Sequence, residues 1–375
     1  MMTIRFNGET YNFWETVSVE ASIKNAERTF TVQVSPDSLD GDPTPAVVLP
    51  GSPVQIFTNG DLLLDGFVNE FSPSFDAGSH AISISGRSGA QDAADSSAVH
   101  PTGRFENRTA VEIANELSGR LGIRYSSMDQ LPKIPVFQFN QGETVHQIAR
   151  RLANIYGYSL MGDGEFGINF VKAGSDLLGE IREGVAPLLS ASSTLTDTSL
   201  FSNYEFKGQL SSYEDKYEDE AAHNVSEVRD SKSTRNRSHI AIVDKSTDRA
   251  TAMTRADWKA RRIGGENSKV SATISGHHLN GQPVVPNKRV FVNSLWLLIA
   301  NEMLIDTVTW AAGYNEKTQC SFTLVPPESY DGEATKSSGA RATRADGRSA
   351  QPLSSYSGSA PVPVAKPLIN PPQVA

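Results

Sequence analysis

The side chains able to do chemistry are thinly spread along this sequence. Its seven histidines, His80, His100, His146, His223, His239, His277 and His278, form no HxxxH, HxH or CxxH spacing. In a strand the adjacent rings of His277 and His278 would point to opposite faces and could not share one ion, so a surface turn pair is expected there. His146 flanks an apolar helical stripe, where a solvated ring is expected. Cys320 is the single cysteine, which excludes an internal disulfide and a cysteine-cluster zinc site. Asp163 and Glu165 are the acid pair closest to a glycan hydrolase's two carboxyls. They fall in a glycine-rich turn, where acids are ordinarily solvated. No GxSxG, GxxxxGK[ST] or strand-to-helix GxGxxG occurs, and the spaced glycines from Gly162 to Gly167 open a strand, which offers a pyrophosphate no helix N-terminus. Trp14, Trp258, Trp296 and Trp310 are scattered rather than grouped as a stacking platform. The expectation is therefore no catalytic, cofactor-binding or metal residue, and no enzymatic activity.

The elements that would position any site are easier to read. In Gly142 to Phe170, Ile148, Ala149, Leu152 and Ile155 recur at helical spacing, Thr144 offers a capping hydroxyl, and Gly157 stands where a left-handed C-cap is needed. Two short apolar runs follow, around Gly162-Asp163-Gly164, as in a hairpin. The same design occurs 35 residues earlier, in Thr109, Ile113, Ala114, Leu117, Gly122 and Ile123. Two helix-strand units in tandem are predicted, whether by duplication or simply as two amphipathic helices packed on one small sheet.

Residues 1–86 read as all-β. Val17, Val19, Ala21 and Ile23 alternate with polar residues, as do Phe30, Val32 and Val34, and Asn59-Gly60 between two apolar runs is a strong hairpin signal. Such a set of strands must close into a barrel or leave edges that invite pairing. Residues 87–184 are the α+β insert. The polar stretch from Gly174 to Ser202 reads as an extended crossing, and a second β-barrel spans 185–325. That region includes a long charged loop at 211–238, a helix at 249–263, and strands at Val270–Ile274, Val284–Val292, Trp296–Ile299, Met303–Trp310 and Cys320–Val325. Leu64-Asp65-Gly66-Phe67-Val68 and Ile305-Asp306-Thr307-Val308-Thr309 look like counterparts in the two barrels, each an alternating strand around an acid. Residues 326–375, rich in Pro, Ser and Ala, should form a flexible tail. The structural turn or cap positions are Gly60, Gly86, Arg87, Gly122, Gly157 and Gly164.

The chain has 375 residues and a formal net charge of −9. Its first hundred residues carry only Arg5, Lys24, Arg28 and Arg87 against thirteen Asp or Glu. That imbalance disfavours specific nucleic-acid binding, because the phosphates would be repelled. No apolar run reaches the roughly 18 residues of a membrane span, and the N-terminus lacks a signal-peptide pattern, so no membrane insertion is expected.

The order of these parts resembles the baseplate hub proteins of Mu-like contractile-tailed bacteriophages and, more distantly, the hub part of VgrG secretion spikes. The residues that carry the likeness are Gly86-Arg87 followed by Asp92, Asp95 and Ser96-Ser97-Ala98; Thr109, Ile113, Ala114 and Leu117 with Gly122-Ile123; and Glu143-Thr144, Ile148, Ala149 and Leu152 with Gly157-Tyr158 and Gly164. Ser88 stands where many relatives carry an acid. The resemblance implies a homotrimer in which each chain gives two tube-type β-barrel modules around an intervening α+β unit. It also implies a symmetry adapter between the six-fold tail tube and the trimeric central spike, in contact with other baseplate proteins. DNA would pass through the channel without specific binding, and the protein would be assembled in the host bacterial cytoplasm into the tail baseplate of a virion. The hub of a phage-derived bacteriocin or secretion spike is an alternative, and a tail-associated glycan hydrolase is a further one.

Overall fold

The computed structural model describes residues 2–34, 47–76, 80–197, 201–208, 224–229, 235–243, 268–313 and 318–330. The protein is a β-rich α+β molecule, with most of its described strands in one 13-stranded sheet.

The N-terminal part supplies β1 (Met2–Phe6), β2 (Glu9–Tyr11), β3 (Thr16–Ser22), β4 (Thr29–Val34), β5 (Pro53–Thr58), β6 (Asp61–Phe75) and β7 (His80–Ser88). Their order is β2-β1-β5-β6-β7-β4-β3, antiparallel throughout. Alternation produces the core, since Val17, Val19, Ala21, Phe30, Val32 and Val34 all turn inward and are buried. The Asn59-Gly60 turn has φ of 49° and 97°, the two positive angles that a tight β5–β6 hairpin requires.

The insert has its own core. Helix α1 (Gln91–Asp95) leads to β8 (Arg104–Thr109), α2 (Ala110–Ser118), β9 (Arg124–Ser127), β10 (Lys133–Gln138), α3 (Val145–Ile155), β11 (Ser159–Gly162) and β12 (Gly167–Val171). Each long helix opens with a capping box, Thr109 with Glu112 and Thr144 with Gln147, in which the side chains reciprocally satisfy two otherwise orphan N–H groups. Gly122 and Gly157 follow at φ of 69° and 71°. The first unit departs from the second after its helix. β9 runs parallel to β12 in a β11-β12-β9 sheet, whereas β10 pairs with β8.

The remaining strands are β13 (Leu177–Arg182), β14 (Leu188–Leu195), β15 (Asn203–Gly208), β16 (Asn224–Arg229), β17 (Ser238–Val243), β18 (Ser268–Ser275), β19 (His278–Leu279), β20 (Gln282–Pro283), β21 (Arg289–Ser294), β22 (Ile299–Gly313) and β23 (Gln319–Val325). Six of them run β13-β21-β22-β23-β18-β14, while β16-β15-β17 and β19-β20 form small separate sheets.

Several sequence expectations change. The crossing expected at Gly174 to Ser202 is in fact two strands, since β13 pairs with β21 and β14 with β18, which moves the start of the second strand set back into the insert's expected range. Within the charged loop or ribbon expected at 211–238, residues 224–229 are strand β16, and 211–223 and 230–234 lie outside the described residues. The helix expected at 249–263 lies outside the described residues. Trp296–Ile299 is mostly the turn into β22, with Leu298 at φ 58° and Trp296 79% exposed. The expected tail begins in described structure: Pro327–Tyr330 is a helical turn, and Tyr330 is buried with its hydroxyl donating to Asp306, while 331–375 lie outside the described residues. Neither run of strands closes on itself by hydrogen bonds among the described residues, which leaves β2, β13 and β14 with one strand neighbour each.

Candidate functional site: the join between the two strand sets

The two strand sets share one connectivity. Reading β3-β4-β7-β6-β5-β1 beside β14-β18-β23-β22-β21-β13, every step falls on a corresponding pair. The directions also agree except at the last step, where β1–β5 is antiparallel and β13–β21 parallel. The long strands β6 and β22 are each 15 residues and each carries a bulge against the following strand. One bulge lies between Val68 and Glu70, opposite Gly86 and Ser85; the other lies between Ile305 and Thr307, opposite Leu324 and Thr323. These bulges place Asp306 in correspondence with Asn69. The sequence pairing of Asp306 with Asp65 is therefore four residues out of step, because matching acids is weaker evidence than matching bulges.

The sets meet strand to strand. The first half of β22 pairs with β21 and the second half, Thr307–Gly313, pairs with β3 from Ser22 back to Thr16. Val308, Trp310 and Ala312 lie opposite Ala21, Val19 and Val17, all six buried, so one apolar core runs across the join.

Three polar clusters fasten it. First, His277 is buried, with Nδ1 2.7 Å from the Thr58 Oγ1 and Nε2 3.0 Å from the Ala311 carbonyl, while His278 Nε2 lies 3.0 Å from Asp61. The pair expected at the surface instead clasps the β5–β6 hairpin, and of the two rings it is His278 that meets solvent. Second, Arg28 is buried and donates to the Leu63 carbonyl at 2.6 Å, with its guanidinium 5.5 Å from the Trp310 ring. Burial pulls its pKa down to about 10, against the opposing pull of Asp163 and Glu165. Third, Asp306 accepts from the Tyr330 hydroxyl and lies 3.7 Å from Lys24 Nζ.

The insert docks on the same junction. Gly164, at φ 99°, passes its carbonyl to the Asp65 N–H at 2.8 Å, and a Cβ there would fall 2.7 Å from Arg28 Nη1. Asp163 Oδ1 accepts from the Glu165 and Gly167 N–H groups at 2.9 and 3.1 Å, so it shapes the hairpin turn. Gly86 and Arg87, expected at a turn, lie inside β7. Gly86 is there for clearance, since a Cβ would sit 2.1 Å from the Phe67 carbonyl oxygen, and Arg87 reaches Asp95 at 2.6 Å. Ser88 is buried, with its Oγ accepting from the Arg28 N–H at 3.0 Å. His146 is half-buried rather than solvated, and burial lowers its pKa. Among the described residues no three His, Cys, Asp or Glu could hold a metal ion, and no helix is long and apolar enough to cross a membrane.

Sequence reasoning missed Arg28 and the β3–β22 join. A lone arginine in an acidic stretch was the available hint for the first. The second leaves no local sign.

Comparison with known proteins agrees with this architecture. Residues 1–88 match the family described as Mu phage baseplate assembly protein GpP-like, N-terminal, and residues 90–170 match the baseplate hub protein gp44-like second domain. Baseplate hub protein gp44 of Escherichia phage Mu is 25% identical over 342 residues, covering 88% of each chain. The 43 kDa tail protein of prophage MuSo2 from Shewanella oneidensis superposes with a TM-score of 0.78 at 22% identity, over 88% of this chain and 99% of that one. A tail protein from Neisseria meningitidis superposes at 0.74 with 17% identity, over 89% and 98%. In sequence and in fold, the chain resembles the baseplate hub proteins of Mu-like phages, a structural family of the phage tail.

Proposed function

We propose that this protein is the baseplate hub of a contractile phage tail, a homotrimer that joins a six-fold tail tube to a three-fold central spike. The carrying observation is the pair of strand sets with one connectivity and matching bulges, joined side by side through β22 and β3. Each set is read as a tube-type barrel module, with residues 1–86 and the strands from β13 to β23 as the two modules and the α+β unit between them. Three chains then present six similar modules around an axis while retaining three-fold symmetry for a spike. The acidic first hundred residues suit a channel that passes DNA, since acidic walls do not retain phosphates. Tail tube, spike and other baseplate proteins are the proposed partners, and the virion tail baseplate is the proposed location, reached after assembly in the host cytoplasm. A hub in a bacteriocin or secretion spike would need the same geometry. Asp163, in contrast, has its carboxylate engaged in turn hydrogen bonds, which argues against the glycan hydrolase reading.

Light scattering on the purified protein, together with negative-stain microscopy, tests the proposal. The expected result is a mass three times that of one chain and a ring with six lobes. A monomer at all concentrations would overturn it.

A further inference from the structure

The join inside one chain predicts the join between chains. The β22–β3 pairing uses the second half of a long strand and the outer edge of the strand that ends the other set. The counterparts of those two edges are the second half of β6 and the outer edge of β14. Among the described residues neither has a strand partner on that side, because β5 ends opposite Phe67 and β14 pairs only with β18.

Superposing the bulges sets Phe71, Pro73 and Phe75 on Val308, Trp310 and Ala312. Aligning β4 with β18 through β7 and β23 sets Val17, Val19 and Ala21 on Ala191, Ser193 and Leu195. The two environments differ as a missing neighbour requires. Val308, Trp310, Ala312, Val17, Val19 and Ala21 are all buried, whereas Phe75 is 82% exposed and Leu195 55% exposed. Large apolar side chains thus stand uncovered at positions that the observed join covers. The His80 ring stacked beside Phe75 leaves most of it in solvent.

We propose that β14 of a second copy adds antiparallel to the Glu70–Phe75 half of β6, with Phe71 opposite the partner subunit's Leu195, Pro73 opposite the partner subunit's Ser193 and Phe75 opposite the partner subunit's Ala191. The occupant is a second copy because both edges belong to this chain and repeat a join already present in it. The contact is head-to-tail, and if it turns by the same angle as the internal join, three copies close a ring of six modules with no bare edge. Pro73 shortens the ladder by one bond. The Ile23 N–H donates to the Asp306 carbonyl, and this sets an alternation in which the Trp310 N–H faces β3, so at the matching position Pro73 offers none. The same proline blunts the edge in an unassembled chain.

This inference rests on the hub reading, and the test separates the two. In the proposed register Ser74 faces the partner subunit's Ser192 as a non-hydrogen-bonded pair, whose Cα separation suits a disulfide. Cys320 is buried, with burial pushing its thiol up to about 12, so it does not compete. The double variant Ser74→Cys with Ser192→Cys, oxidised and run without reductant, should give a covalent trimer and no longer ladder. Each single variant, and the off-register double Glu70→Cys with Ser192→Cys, should remain uncrosslinked. A trimer by light scattering that does not crosslink, or that crosslinks equally off register, overturns this pairing and leaves the hub reading standing. A monomer by light scattering overturns both.

Discussion

The Nδ1 of His277 lies 2.7 Å from the hydroxyl of Thr58, across 219 residues of sequence and across the boundary between the two strand sets. Both residues are buried, and the other ring nitrogen faces the Ala311 carbonyl at 3.0 Å. Only one neutral tautomer satisfies both contacts: Nε2–H donates to the carbonyl, and Nδ1 accepts from the Thr58 O–H. In the neutral ring the proton therefore sits on Nε2.

Burial is the main cause lowering the His277 pKa, with bonds to the Ala311 and Gln319 carbonyls opposing it and nearby His278 adding to it. The folded pKa lies below the unfolded value of about 6.5. The unfolded chain therefore takes up the proton first on acidification, and the clasp's contribution is full above about pH 6.5 and declines as pH falls toward the folded value. His277→Ala should cost about 1–3 kcal/mol at pH 8, the range for leaving buried partners unsatisfied. It should also flatten the pH dependence of the thermal midpoint between about pH 5 and 7. Calorimetry of both proteins across that range measures this, and an unchanged slope would show that another group governs it.

Arg28 is the second prediction. Its Nη1 donates to the Leu63 carbonyl, and its guanidinium faces Trp310 of the other strand set, while Gly164 brings the insert alongside. Arg28→Met keeps much of the packing but removes the charged donor, and a loss of about 1.5–3 kcal/mol is expected, as for hydrogen bonds to charged groups. Because the depressed pKa of about 10 still leaves the group charged at neutral pH, the loss should not vary between pH 5 and 8. Denaturant unfolding followed by tryptophan fluorescence reads both quantities.

What could be read from the chain depended on how local the cause was. The two insert helices were legible because Thr109 and Thr144, the apolar stripes and the glycines at 122 and 157 act within about fifteen residues. The Asn59-Gly60 hairpin was legible for the same reason. β14 was not, and its failure is instructive. Its inward positions are Ala191 and Ser193 rather than large apolar residues, so an edge strand with little packed on it showed no alternation. The β22–β3 pairing joins Thr307 to Ser22 over most of the chain's length, and no spacing rule reports such a contact. His277 read as a surface residue, and nothing marked Arg28 as buried, because their burial belongs to that long-range pairing.

The helix caps give a third prediction. Thr109→Ala and Thr144→Ala each remove one capping hydroxyl and should cost about 1 kcal/mol each. Gly122→Ala and Gly157→Ala place a Cβ at positive φ and should cost about 1–2 kcal/mol each. At Gly122 no atom stands within 4 Å of where the new methyl would sit, so backbone strain rather than a clash sets that cost. The two threonine effects should add, since each box is closed within its own helix start. Chemical denaturation of the singles and the double tests this, and strong coupling would mean that the helices form as one unit.

The last prediction concerns Tyr330. Its hydroxyl donates to the Asp306 carboxylate at the β22 bulge, its carbonyl accepts from the Ala173 N–H at 3.0 Å, and Lys24 Nζ sits 5.8 Å from its ring. These contacts tie the end of β23 to the insert and to the loop after β3, next to the join. Tyr330→Phe keeps the ring and removes only the donor, so the nearly buried Asp306 retains Lys24 but loses the hydroxyl. The expected cost is about 1.5–3 kcal/mol, that of a hydrogen bond to a charged group. Tyr330→Ala should cost more, because the ring's burial is lost as well. A chain ending at Val325 should melt at least as early as Tyr330→Ala made in a chain ending at Tyr330. If ending the chain at Val325 left the midpoint unchanged, the turn would be an ornament on β23 and not a brace for the join.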